Sequence, residues 1–118
     1  MNTITDNNRE FKTNPQFPYA PDDWNQTDAI KRSEHEGIEL TDDHWDTLKA
    51  LQEYFAKHSE ESLNIRELHD ALDEKFYLKG GMKYLYKIFP GGPVAQGSHI
   101  GGLDVPAGTK DNSFGSVQ

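Results

Sequence analysis

Five histidines and one Ser-His pair are the side chains here with the widest chemical reach. His35, His44, His58, His69 and His99 are scattered along the chain, and none falls in an H-E-x-x-H or H-x-H spacing that would bring two imidazoles onto one metal. His44 stands three residues after Thr41, the N3 position of a capped helix, where a polar side chain is ordinary. Capping and surface roles therefore outweigh metal ligation, and no metal is expected. Ser98, His99 and Asp104 are the residue types of a hydrolase, but adjacent residues rarely aim nucleophile and base at each other, and no nucleophile elbow surrounds Ser98. With glycines at Gly97 and Gly101, Ser98 reads as a serine of a flexible arm. The runs GPVAQG and GGLDVPAG have neither Walker A nor dinucleotide spacing, so a phosphate cofactor is not expected. The chain has no cysteine, which removes disulfides, thiolate metal sites and cysteine nucleophiles together.

The elements that would position these residues are helical. Asn25 predicts a short helix from about Gln26 to Glu34, stopped at Gly37. Thr41 caps the next, with Asp42 and Asp43 in its first turn and Leu40 against Trp45 as a hydrophobic staple. Asn64 caps a third, with Glu67 placed to return the bond. After YLKGG, the run MKYLYKIF predicts a further helix, ended by Pro90. The expected fold is mostly α, with four or five helices and a core of Trp45, Leu48, Leu51, Phe55, Leu68, Leu72, Leu85 and Phe89. A short N-terminal strand pair around Phe11 and Phe17 is the one β feature. Helix, glycine-containing turn and helix together trace a helix-turn-helix outline.

At 118 residues the chain is one domain, read as a lead-in over 1–23, a helical core over 24–90 and an extended C-terminal arm over 91–118. Hydrophobic residues are only 34% of it, so the core is small. Formal net charge is −8, which argues against general nucleic-acid binding. Residues 1–62 hold fourteen Asp/Glu and six Lys/Arg, while Lys75 to Leu103 hold four lysines and no acid. No apolar run has the length of a membrane helix, and the N-terminus has no signal-peptide core. The expected location is cytoplasmic.

Three runs, IELTDDHWDTLKALQEYF, MKYLYKIFPGGPVAQ and IGGLDVPAG, resemble the DsrC/TusE/DsvC sulfur-relay family. The resemblance extends from about Trp24 to Thr109, and its most specific part is YLY-x-x-FP-x-GP-x-x-Q from Tyr84 to Gln96. It implies a small helical protein whose mobile C-terminal arm carries sulfur as a cysteine persulfide between larger enzymes. Those enzymes are dissimilatory sulfite reductase or the tRNA 2-thiouridine relay. The terminal cysteine of such an arm is the carrier, and some members have a second cysteine eleven residues earlier. These two positions are here Thr109 and Ser98. A hydroxyl forms neither persulfide nor disulfide. The chain also continues past Thr109 with KDNSFGSVQ, where the typical member ends just after its cysteine.

No catalytic residue or cofactor is therefore expected. The expected function is that of a non-catalytic, partner-binding or regulatory paralogue in sulfur metabolism, engaging protein partners through the arm. Candidate contact residues are Lys83, Tyr84, Tyr86 and Lys87 on the fourth helix, with Leu103, Val105 and Phe114 as arm anchors. Two alternatives stand beside it. One is a DNA-binding regulator using the helix-turn-helix outline. The other is a sulfurtransferase in name, serving tRNA thiolation through thiols on its partner.

Overall fold

The computed structural model describes residues 16–58 and 62–104. Among them are five α-helices: α1 (Gln26–His35), α2 (Asp42–Lys57), α3 (Ile65–Lys75), α4 (Met82–Ile88) and α5 (Pro93–Ile100), with a 3-10 turn at Tyr77–Lys79 between α3 and α4. No strand occurs among the described residues. Phe17 lies in a turn and is buried, packed edge-on against Trp24 and Trp45. Its ring therefore belongs to the core rather than to a strand pair, and Phe11 lies outside the described residues.

The helix starts follow from local chemistry. Asn25 accepts from the Asp28 N–H at 2.9 Å, and Asn64 accepts from the Glu67 N–H at 3.0 Å. Glu67 does not return the second bond. Instead the Tyr54 hydroxyl accepts from the Asn64 N–H and donates to the Glu67 carboxylate, so α2 fastens the start of α3. At α2 the reciprocal partner is His44, whose Nδ1 accepts from the Thr41 N–H at 2.9 Å. Its Nε2–H donates to the Ile88 carbonyl at 2.7 Å. One buried imidazole thus joins the start of α2 to the end of α4, and both bonds require the Nε2–H tautomer. Helix α4 begins at Gly81, which has no side chain to cap it, and Asp73 of α3 accepts from the Met82 N–H in its place. A Cβ on Gly81 would lie 2.2 Å from that carboxylate, so only glycine fits.

Two apolar clusters make up the core. Phe17, Trp24, Ala29, Ile38, Leu48, Phe89 and Ile100 form the first; Leu51, Leu68, Leu72, Phe76, Leu85 and Val94 form the second. Helices α2 and α5 each supply both, through Leu48 and Leu51 on one and Ile100 and Val94 on the other. Six of the eight core residues expected from the sequence are buried, while Trp45 and Phe55 are half-buried at the margins.

The boundary placed after Pro90 needs correction. Residues 91–104 are not a loose arm: α5 lies within the core, with Val94 and Ile100 fully buried. Its glycine content misled because Gly97 is there for packing. A Cβ on it would come within 2.7 Å of Leu51 Cδ1, so the low helix propensity of glycine is accepted where two helices touch. Any extended arm begins after this helix.

Candidate functional site: the root of the C-terminal segment

Helix α5 ends with carbonyls that the helix itself cannot satisfy. Side chains from distant parts of the chain satisfy them. Arg32 Nη1 donates to the His99 carbonyl at 2.7 Å, Trp24 Nε1 to Ile100 at 2.9 Å and Gln52 Nε2 to Gly101 at 2.9 Å. The Leu103 N–H closes back on the Ser98 carbonyl at 2.8 Å. The guanidinium also sits where the helix dipole favours a cation. Gly102, at φ +78°, turns the chain against Trp24, and a Cβ there would meet the indole at 2.7 Å. Just past the end of α1, Glu36 accepts from Gln96 Nε2 at 2.6 Å and lies 3.4 Å from His99 Nε2.

Two helices, α1 through Arg32 and α2 through Gln52, together with Trp24 and Glu36 on either side of α1, therefore hold α5 at its final turn, so Asp104 leaves a fixed point. Trp24, Arg32, Gln52 and Glu36 were missed in the sequence. Gln52 alone carried a signal, as a polar residue on the same helical face as Leu48 and Phe55. Trp24 and Arg32 act across 76 and 67 residues, a separation that no local pattern reports.

Ser98 is placed differently from the sequence expectation. It is fully buried in α5, and its Oγ has no hydrogen-bond partner, so it is neither flexible nor exposed. His99, next to it, faces outward to Glu36, and no triad forms. Thr109, Val105 and Phe114 lie outside the described residues. Leu103 is half-buried against the second cluster. Lys83 and Lys87 are exposed on α4, and Tyr86 is half-buried. His44, His58 and His99 make the separate contacts already given or, for His58, donate from Nδ1 to the Tyr54 carbonyl. Among the described residues no three His, Asp or Glu side chains converge as a metal site. None of the helices among these residues is long and apolar enough to cross a membrane.

Tyr84 is engaged within the molecule. Its hydroxyl donates a short hydrogen bond to Asp43, which also accepts from Lys79 Nζ at 2.8 and 2.9 Å. Helix-start chemistry alone suggested itself for Asp43 in the sequence; the structure adds this tie to α4. The Lys79 ammonium first, and the Tyr84 hydroxyl second, hold the Asp43 carboxyl below its usual 3.8. The same bond, then burial, pushes the Tyr84 phenol above its usual 10.0. A depressed carboxylate contributes stability above its unfolded value and loses it as pH falls through the folded one. A raised phenol does the reverse, contributing below 10.0 and losing it as pH rises further. Asp43→Asn should thus lower stability near neutral pH, with the Tyr84 bond contributing about 1–2 kcal/mol; the half-exposed lysine adds little. The gap from wild type should close in acid below pH 3.8, as followed by urea melts across pH. A gap of constant size would assign the loss to packing.

Fold and site together define a small, mostly helical scaffold whose chain leaves α5 from a clamped helix end. The family model for the DsrC like protein matches residues 5–109, nearly the whole chain, and the chain belongs to that family. Sulfurtransferase TusE of Salmonella typhimurium is 37% identical over 84 residues, covering 70% of this chain and 76% of the relative. TusE of Photorhabdus laumondii is 36% identical over 100 residues, covering 83% and 89%. TusE of Escherichia coli K12 is 36% identical over 84 residues, covering 70% and 76%. No solved structure matches the chain significantly.

Proposed function

We propose that this chain is a sulfur-relay family protein that docks on a protein of sulfur metabolism without carrying sulfur itself, as a regulator or competitor of a thiol-bearing relay member. The observation that carries this reading is a preserved scaffold with no cysteine. The α5 root is clamped by three long-range donors, while Ser98 and Thr109 stand at the positions that the family resemblance gives to thiols. Oxygen at those positions has neither the acidity nor the sulfur–sulfur chemistry of a carrier. Lys83, Tyr86 and Lys87 on α4 and Leu103 beside the root are the proposed contact residues, with Val105 and Phe114 as anchors further along. No mechanism step is assigned to the chain.

The test is competition. Sulfur transfer from a persulfide donor to Escherichia coli TusE, through the relay protein that docks it, should slow as this chain is added. The chain itself should gain no sulfur by intact mass. Unchanged transfer at a large excess of this chain would sink the docking reading. Thr109→Cys should accept sulfur, whereas the Ser98→Cys thiol, buried in α5, should resist alkylation until denaturant is added.

A further inference from the structure

The turn between α3 and α4 carries the most exposed large hydrophobic residues among those described. Tyr77 is 71% and Leu78 95% exposed, although aliphatic side chains of this size are usually covered. The turn that displays them is well held. Phe76 beneath it is buried, and its carbonyl accepts from the Lys79 and Gly81 N–H groups at 2.9 and 2.8 Å. Gly80, at φ +124°, closes the turn, and Lys79 fastens it to Asp43. Little ordering entropy remains to be lost when such a prong binds. Lys75 and Lys83 flank it, both exposed. Of the neighbouring carboxylates in sequence, Asp73 is occupied by the Met82 N–H and Glu74 adjoins Lys75.

A complementary surface exists on the same molecule. Between α1 and the start of α2 lies an open cleft of about 550 Å³ walled by Ile30, Ile38, Leu40 and Trp45, with Glu34 and Glu39 also lining it. Ile30 is 43% exposed there. An apolar prong beside lysines and an apolar cleft beside carboxylates match in both shape class and charge sign. The start of α2 links the two. Lys79 binds Asp43, which stands three residues after Leu40 and two before Trp45. A two-fold axis near the start of α2 would let each copy give a prong and receive one, which closes the pair.

We propose that a second copy of this chain is the occupant: the Tyr77–Leu78 prong of each protomer seats in the Ile30–Trp45 cleft of the other. Sedimentation equilibrium of the full chain from micromolar to near-millimolar concentration should show a monomer–dimer equilibrium that stops at two. Leu78→Asp and Ile30→Asp change exposed side chains, so circular dichroism should stay the same while each weakens the dimer by at least about tenfold. Lys83→Glu should weaken it too, and Glu39→Lys in the same chain should restore part of the loss. A monomer throughout the concentration range overturns the proposal. So does a dimer indifferent to Leu78→Asp, and so does one lost with Leu78→Asp but untouched by Ile30→Asp, which would give the prong a different partner.

Discussion

Leu51→Ala should destabilise the domain by about 2–5 kcal/mol, lowering Tm by on the order of 10–20 °C. Leu51 is fully buried in the second cluster, so truncation removes both its transfer free energy and the contacts of its neighbours. Its Cδ1 also occupies the place where a Cβ on Gly97 would go, 2.7 Å away. The two positions must therefore couple. Gly97→Ala in the wild type sets overpacking, about 1–3 kcal/mol, against a helix-propensity gain of about 1 kcal/mol, and should be destabilising. In the Leu51→Ala background the collision is gone. There the same Gly97→Ala should be neutral or stabilising, a reversal of sign that thermal melts of the four proteins would register. Additive losses would mean that α2 and α5 do not meet at this point.

The second large effect belongs to Trp24. Trp24→Ala should cost about 3–5 kcal/mol from lost packing, because the indole is buried against Phe17 and lies under Gly102. A milder variant separates packing from anchoring. Trp24→Phe keeps a ring but removes the bond to the Ile100 carbonyl, leaving a buried acceptor unpaired at about 1–3 kcal/mol. The loss should be concentrated at the root. Amide exchange at Gly101, Gly102 and Leu103 should accelerate well before that of α3. Equal acceleration everywhere would show that the indole serves global packing alone and does not anchor the chain exit.

Legibility in the sequence followed the range of the interaction. Asn25, Thr41 and Asn64 could be read as caps because a cap is decided within four residues. Leu48, Leu51, Leu68 and Leu72 could be read as core because helical periodicity is equally local. The end of the fourth helix followed from Pro90 for the same reason. Helix α5 could not be read, since Gly97 within it answers to Leu51, and Gly102 just beyond it to Trp24, rather than to their own neighbours. Trp24 itself looked like the edge of a lead-in, and only Ile100, 76 residues on, gives its indole a role. Asp43 is the sharpest case. Its helix-start position fully accounts for an acid there, so nothing local pointed to Lys79 and Tyr84. At the candidate site, the absence of cysteine was plain in the sequence, whereas the burial of Ser98 required knowing that it lies on a helix.

The placement of α5 also sets the order in which the protein can be completed during synthesis. Both halves of the core wait for it: Val94 closes one cluster and Ile100 the other. Helices α1 to α4 emerge from the ribosome first, with Leu48, Leu51 and Phe89 facing a space that no earlier segment fills. The contacts that finish the fold span 49 to 76 residues, and such non-local closure is slow relative to helix formation. A nascent chain paused before Pro93 would hold formed helices around an open apolar seam, the kind of surface that chaperones bind and neighbouring chains aggregate through. Release of residues 93–104 then completes core and root in one event, so no folded intermediate presents the C-terminal segment from an unanchored base.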